Sequence, residues 1–132
     1  MSSVTGAGAA GGGPIRVLVV EDEPQVAIIF EEALKDFGYT VVGPVENLKA
    51  AIQLAATERI DTAIVDINID GQVATTVADR LMERGIPFLF VSGYARELGL
   101  RYRGIPLLSK PFTFTDLHHA IERQLRGAPA GG

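Results

Sequence analysis

The sequence predicts an α/β fold in which helices cover both faces of a doubly wound, five-stranded parallel sheet. Short apolar runs rich in Val and Ile alternate with longer segments whose apolar residues recur at helical spacing. The connections between these segments are short, as expected for strands joined by helical crossovers. Asp66 directly follows the apolar pair Ile64 and Val65, and the ends of such buried strands are where open α/β sheets place their ligand sites.

The first half of the chain contains two predicted strand–helix pairs. Residues 15–20 form the first predicted strand, and Pro24 suits the first turn of the helix that follows, which is expected to end at Gly38. The residues that repeat at helical spacing there are Val26, Ile29, Phe30, Ala33, Leu34 and Phe37. Residues 39–42 form the second predicted strand, closed by a Gly-Pro pair, and Asn47 is the expected N-cap of the second helix.

Three further pairs follow. Residues 62–66, 86–91 and 105–108 are the remaining predicted strands. The third helix is marked by Val73, Val77 and Leu81. Residues 95–100 leave room for only about two turns of a fourth helix. Thr115 is the expected N-cap of the last helix.

The two ends of the chain are expected to be disordered, leaving residues 14–126 as the folded domain. Residues 1–13 are almost all small, and a loose tail covers residues 127–132, so neither end can bury enough apolar surface to order itself. Residues 6–11 match G-x-G-x-x-G, but the dinucleotide-binding motif needs a strand before it and a helix after it. A flexible leader is therefore the favoured interpretation.

Composition excludes several classes of function. The net charge of −4, with no cluster of Lys and Arg, argues against DNA as a partner. The absence of cysteine excludes disulfides, thiolate metal sites and thiol catalysis. The apolar runs are far shorter than the ~20 residues that span a bilayer, and the N-terminus lacks the pattern of a secretory signal. We expect a cytoplasmic domain that binds neither DNA nor membranes.

Polar residues follow four of the predicted strands. Glu21 and Asp22 follow the first, Asp66 ends the third, Ser92 follows the fourth and Lys110 follows the fifth. In a doubly wound sheet these strand ends line one crevice, at the point where the strand order reverses. We therefore expect the five side chains to form one site.

Three carboxylates in one crevice repel each other, and a divalent cation would relieve that repulsion. Oxygen ligands alone select a hard ion, so Mg²⁺ (or Mn²⁺) is the expected cofactor. The predicted ligands are Glu21, Asp22, Asp66 and the backbone carbonyl of Asn68. Lys110 is expected to pair with Asp66.

Phosphoryl transfer fits this set of residues. A carboxylate that attacks phosphorus needs mainly alignment and neutralisation of charge, which the metal and Lys110 would supply. The hydroxyl of Ser92 can donate a further hydrogen bond to a phosphoryl oxygen. Asp66 is the predicted nucleophile.

The chain resembles the receiver domain of two-component response regulators over about residues 15–125. Residues 19–24 (VVEDEP) match the family's acidic motif at the first strand, and Asp66 matches its phosphoacceptor. Ser92 matches the family's Thr/Ser, and Lys110–Pro111 matches the Lys-Pro pair that ends the fifth strand and usually has a cis bond. The resemblance implies a flavodoxin-like (βα)5 fold with strand order 2-1-3-4-5.

The resemblance also implies the function. Asp66 would receive a phosphoryl group from a phosphohistidine of a sensor histidine kinase or a histidine phosphotransfer protein, with Mg²⁺. A receiver of this kind catalyses its own loading and slow hydrolysis, turns over no small molecule, and signals as a phosphoprotein through contacts with other proteins. We expect a single-domain response regulator that is a monomer or a weak dimer.

A narrower resemblance concerns residues 88–94 (FLFVSGY). They are similar to the Phe-x-Phe-Ala-Thr-Gly-Tyr motif of one receiver subgroup, whose members are often stand-alone, with Val91 and Ser92 in place of Ala and Thr. Typical receivers have an aromatic switch residue three positions before the lysine, and here that residue is Leu107. Tyr94 is the predicted switch residue in its place.

Three alternatives stay open at this point. The chain could be a docking module that works without phosphorylation, or a receiver fragment of a longer regulator. A dehalogenase-type phosphatase also uses an aspartate nucleophile, but it needs a second aspartate two positions on. Asn68 occupies that position and cannot exchange the proton.

Overall fold

The computed structural model describes residues 13–69, 71–93 and 100–126 of the chain. In chain order, the strands are β1 (Arg16–Val20), β2 (Thr40–Val45), β3 (Thr62–Asp66), β4 (Asn68–Ile69), β5 (Gln72–Val73), β6 (Phe88–Ser92) and β7 (Leu107–Ser109). The helices are α1 (Pro24–Asp36), α2 (Leu48–Thr57), α3 (Thr75–Glu83) and α4 (Phe114–Leu125), and a 3₁₀ turn covers Leu100–Tyr102. None of the helices in this described part is both long and apolar enough to cross a membrane.

The main sheet confirms the predicted fold and strand order. Its five strands are all parallel and lie in the order β2-β1-β3-β6-β7, while β4 and β5 form a separate antiparallel hairpin. Strand β2 lies on one side of β1, whereas β3 and the later strands lie on the other side. The strand order therefore reverses between β1 and β3. The ends of these two strands therefore border the crevice predicted for the site.

Two apolar layers hold the helices against the sheet. Side chains alternate along each strand, so Val17 and Val19 face one layer while Leu18 and Val20 face the other. The first layer is completed by α1 and α4, through Phe30, Ala33, Leu34, Leu117 and Ile121. The second is completed by α2 and α3, through Ala51, Ala55, Val77, Ala78 and Leu81. The strands at the centre are buried on both faces, which explains their continuous apolar runs.

Strand β2 is longer than predicted. It continues through Gly43 and Pro44 to Val45, and its pairing with β1 shifts register between Leu18 and Val20. Gly43 has φ +99° and precedes a cis peptide bond. A Cβ at this residue would lie 2.8 Å from the backbone nitrogen of Val45, so a residue without a side chain is needed there. The prediction that the Gly-Pro pair ends the strand was wrong.

The predicted helix ends are confirmed at two places and wrong at a third. Pro24 occupies the first position of α1, and the Asn47 side chain accepts a hydrogen bond from the backbone N–H of Ala50 at 2.8 Å. The N-cap of α4 is Thr113, not Thr115. Thr113 has extended backbone angles, and it exchanges hydrogen bonds with Asp116 in a capping box.

Other boundaries also differ from the sequence prediction. Helix α3 begins at Thr75, because Val73 belongs to the hairpin and is exposed. Strands β6 and β7 each begin two residues later than predicted and extend to Ser92 and Ser109. Their bounds include only residues that pair with a neighbouring strand. Gly71, at φ +77°, belongs to the turn between β4 and β5.

Several predictions lie outside the described residues. They are the disorder of residues 1–12 and 127–132, the turn at Asp70, most of the short fourth helix and the switch residue Tyr94. The division of the chain into a leader, a domain and a tail therefore stays a prediction.

Candidate functional site

The ends of β1, β3 and β7 bring three predicted site residues into direct contact. The ammonium nitrogen of Lys110 lies 3.0 Å from Oδ2 of Asp66 and 3.2 Å from Oε1 of Glu21. Both carboxylates are buried, with only 1% of Glu21 and 6% of Asp66 exposed. The sequence prediction that these residues form one site is consistent with this geometry.

Backbone hydrogen bonds at the strand ends fix these side chains in place. The N–H of Glu21 donates to the carbonyl of Val45 at 3.0 Å, which ties the chain after β1 to the end of β2. The N–H of Lys110 donates to the carbonyl of Ser92 at 2.7 Å, which ties the chain after β7 to the end of β6. Glu21 and Lys110 thus continue the backbone hydrogen bonding of the sheet beyond the last residues of β1 and β7.

Asp66 is held through both of its carboxylate oxygens. Oδ2 accepts the hydrogen bond from Lys110, and Oδ1 accepts one from the backbone N–H of Asn68 at 3.0 Å. In the sheet, Asp66 is in register with Val91, so Ser92 lies one residue further along β6. Ser92 is buried at the same edge of the sheet, and its role in the site stays a prediction.

The buried charges shift each other's protonation. Burial and then the repulsion of Asp66 raise the pKa of Glu21 to about 7, although the attraction of Lys110 works in the other direction. For Lys110, burial disfavours the charged form. The hydrogen bond and charge of Asp66, together with Glu21, outweigh burial and raise the pKa of Lys110.

Three acidic residues in this crevice could hold a metal ion. Glu21, Asp22 and Asp66 each offer a carboxylate oxygen, and these oxygens lie within 4.8 Å of one another. Oxygens that share a magnesium ion at ~2.0–2.1 Å lie about 3–4 Å apart, so a small contraction of the group would fit the ion. The repulsion between Glu21 and Asp66, which contributes to the raised pKa of Glu21, would be relieved by a bound cation. Ligation by the backbone carbonyl of Asn68 stays a prediction.

One further residue, which was not predicted from the sequence, contacts the site. Glu23, just before the first residue of α1, has its Oε1 atom 3.6 Å from the ammonium of Lys110. Its backbone N–H also donates to Oε2 of Glu21 at 3.2 Å. The sequence shows only that Glu23 stands directly before Pro24, and this position does not decide whether its side chain reaches the crevice.

A cavity of about 210 Å³ adjoins the acidic group on the side of α1. It is lined by Glu21, Asp22, Pro24, Ala27, Ile28, Glu31, Pro44 and Glu46. The approach to the site from this side is therefore strongly acidic.

The fold and this arrangement of an acidic group with a lysine are those of a receiver domain. The family model described as "Response regulator receiver domain" matches residues 17–122. The chain therefore belongs to the response regulator receiver domain family.

Two curated relatives are regulators of transcription. The chain is 31% identical over 114 residues to the transcriptional regulatory protein PdtaR of Mycobacterium tuberculosis, covering 83% of this chain and 56% of that protein. It is 30% identical over 122 residues to the transcriptional activator protein IrlR of Burkholderia pseudomallei, covering 88% of this chain and 52% of that protein. The chain thus spans about half the length of the curated relatives it matches.

Several solved structures superpose on the chain. SdrG from Sphingomonas melonis Fr1 is 36% identical, with a TM-score of 0.75, and the match covers 85% of this chain and 97% of SdrG. The receiver domain of the sensor histidine kinase PA1611 from Pseudomonas aeruginosa also has a TM-score of 0.75, at 21% identity, covering 86% and 99% of the two chains. The second likeness shows the fold alone.

Proposed function

We propose that Asp66 accepts a phosphoryl group from a phosphohistidine of a sensor histidine kinase or a histidine phosphotransfer protein, in a reaction that requires Mg²⁺. One observation carries this proposal. A buried aspartate at the end of β3 contacts the Lys110 ammonium and belongs to the only group of three acidic residues in the described part of the chain that could hold a metal ion.

The reaction forms one bond and breaks another. An oxygen of Asp66 attacks phosphorus, an O–P bond forms, and the P–N bond to the imidazole breaks with its electron pair returning to the nitrogen. The N–H of Asn68 and the ammonium of Lys110 orient the carboxylate before the attack. Such positioning and charge neutralisation are the main requirements of phosphoryl transfer.

Glu21, Asp22 and Asp66 would hold the magnesium ion. When bound, the ion would neutralise the charge that builds up on the phosphoryl oxygens. The receiver of PA1611 is described with a magnesium ion coordinated in its active-site cleft, and for this chain the acidic group itself supports the same cofactor. Lys110 would then turn from the free carboxylate to the phosphoryl group, and the hydroxyl of Ser92 would donate a hydrogen bond to it.

The loaded domain would signal through protein contacts. A phosphoryl group adds charge and acceptor oxygens, which can bias a surface between two conformations. Stand-alone action, a cytoplasmic location and a monomeric or weakly dimeric state are parts of this proposal. The relatives PdtaR and IrlR are named as regulators of transcription, and the absence of DNA binding by this chain stays a prediction drawn from its net charge of −4.

The experiment is intact-mass spectrometry after incubation with acetyl phosphate or with a panel of phosphorylated kinases, with Mg²⁺ or with EDTA. We expect one phosphoryl group on the wild type with Mg²⁺ and none on Asp66→Asn. Asp36→Asn is the matched control, because Asp36 is exposed at the far end of α1. Loading that persists in Asp66→Asn would contradict the proposal.

Docking without phosphorylation is a second candidate. Leu107 in the edge strand β7 is a large apolar residue that is 40% exposed, and Phe114 at the start of α4 is 50% exposed, and exposed apolar residues of this size favour contacts with a protein. Binding of a partner that is equally tight for wild type and Asp66→Asn, with no phosphoprotein under any donor, would favour this function.

A further inference from the structure

Glu23 combines two properties that no other site residue shares. Its carboxylate contacts the Lys110 ammonium at 3.6 Å, yet 62% of its side chain is exposed, whereas Glu21 and Asp66 are almost fully buried. It therefore stands at the mouth of the site, between the buried charges and the solvent from which a phosphodonor arrives.

Glu23 does not belong to the group of residues that could hold the metal. That group consists of Glu21, Asp22 and Asp66, and their charges already exceed the single positive charge of Lys110. The carboxylate of Glu23 adds a further negative charge without adding a ligand. The cavity that adjoins Glu21 and Asp22 is lined by two further acids, Glu31 and Glu46, so the charge of Glu23 adds to an acidic surrounding.

We propose that Glu23 is a specificity-determining residue whose exposed carboxylate, paired with Lys110 at the mouth of the site, slows the loading of Asp66 by small, doubly negative phosphodonors. This inference rests on the proposed function and adds to it a selection among donors. Phosphoryl groups presented by a protein surface that carries its own positive charge would escape this selection.

Two effects act in the same direction. The charge of Glu23 repels an anionic donor as it approaches phosphoryl-transfer distance of Asp66. Glu23 also competes for the Lys110 ammonium, on which a doubly negative phosphoryl group depends more than a singly negative one. Because Glu23 is exposed, solvent and salt weaken both effects, and we expect a change of about three- to tenfold in the loading rate rather than a larger one.

The test compares initial loading rates of the full chain with Mg²⁺ for Glu23→Gln and for the control Glu32→Gln. Glutamine keeps the shape of the side chain and the backbone N–H that donates to Glu21. Glu32 is an exposed acid on α1, the helix that follows Glu23, and its substitution makes the same change in net charge. The donors are acetyl phosphate and phosphoramidate, which carries less negative charge at neutral pH.

We expect Glu23→Gln to load about three- to tenfold faster than the wild type with acetyl phosphate, and less than about twofold faster with phosphoramidate. The difference should shrink at about 0.5 M salt. Glu23→Lys should extend the trend, and Glu32→Gln should match the wild type. Circular dichroism of each variant verifies that it is folded.

Equal rates for the wild type and Glu23→Gln would overturn the inference while leaving the proposed function intact. The same fold-change with both donors would also overturn it, because the effect would then not depend on donor charge. A wild type that no donor phosphorylates would overturn the proposed function, and this inference with it.

Discussion

The ammonium of Lys110 lies 3.0 Å from Oδ2 of Asp66, although the two residues are 44 positions apart in the chain. The same ammonium also contacts the fully buried carboxylate of Glu21. One partly buried cation thus holds together two carboxylates that would otherwise repel each other at the centre of the site.

Removing this cation should destabilise the metal-free domain and make it depend on Mg²⁺. In Lys110→Gln, Glu21 and Asp66 face each other without a counter-charge, and we expect a loss of about 1–3 kcal/mol in the free energy of unfolding. Added Mg²⁺ should then raise the melting temperature by more in the variant than in the wild type, because binding to the folded state relieves the repulsion. Thermal unfolding with EDTA and with Mg²⁺ measures both effects.

Lys35→Gln is the control for this experiment. Lys35 pairs with Glu31 on the surface of α1, where 63% of the lysine side chain is exposed, so its loss should change stability by less than about 0.5 kcal/mol. Equal effects of the two substitutions would show that Lys110 is not holding buried charges together.

The pKa of Glu21 predicts how stability depends on pH in metal-free solution. Its folded pKa of about 7 lies above the ordinary value of 4.5, so the folded protein binds the proton more tightly than the unfolded chain. Stability is therefore highest below pH 4.5 for this group and is lost as pH rises from there through about 7. We expect this contribution to amount to about 1–3 kcal/mol.

Urea unfolding between these pH values, with EDTA, checks the prediction. The fall in stability should be smaller in Glu21→Gln, whose side chain does not titrate. It should also be smaller in wild type with Mg²⁺, since a bound cation displaces the proton. A wild type and a Glu21→Gln variant with parallel pH profiles would contradict the assigned pKa.

The sequence and the structure assign different N-cap residues to α4, and this difference can be tested. Thr113 caps the helix and its hydroxyl accepts a hydrogen bond from the N–H of Asp116 at 3.0 Å, whereas Thr115 lies within the first turn. Thr113→Ala should cost about 1 kcal/mol, and Thr115→Ala should cost less than about 0.5 kcal/mol. Chemical denaturation of both variants decides between the two residues, and the reverse order would support the cap that the sequence predicts.

The reasons for success and failure of the sequence prediction differ by element. Strand β3 was predicted with the observed bounds Thr62–Asp66, because a buried run of apolar residues carries its own pattern. The hairpin of Asn68–Ile69 and Gln72–Val73 was missed, because two-residue strands are too short to show a period. Thr113 and Thr115 are chemically alike, and only the backbone angles of the folded chain choose between them.

The site was predicted to a similar degree. The strand order predicts that Glu21, Asp66 and Lys110 lie close together, because parallel strands end at one edge of the sheet. The contact between Glu23 and Lys110 does not, because it depends on how the start of α1 leaves the end of β1. No local sequence pattern encodes that angle.

Gly43 links the stability of the sheet to the geometry of the site. It has φ +99°, and a Cβ there would lie 2.8 Å from the nitrogen of Val45 and 3.0 Å from the carbonyl oxygen of Val19. Gly43→Ala must therefore push β2 away from β1, in addition to paying for a left-handed backbone conformation, and we expect it to cost about 2–4 kcal/mol. Because the carbonyl of Val45 accepts the hydrogen bond from the N–H of Glu21, the same shift should weaken Mg²⁺ binding.

Gly85→Ala is the control that separates the cost of the backbone conformation from the cost of close packing between β2 and β1. Gly85 also has a positive φ, of +70°, but a Cβ there would meet nothing within 4 Å, so only the backbone cost of about 1–2 kcal/mol applies. Urea unfolding measures both costs, and magnesium titration followed by NMR measures the affinity of the site. If Gly43→Ala were no more destabilising than Gly85→Ala, the close packing of β2 against β1 at this point would not be what requires glycine. If it were more destabilising but bound Mg²⁺ as tightly as Gly85→Ala does, the position of Glu21 would not depend on the end of β2.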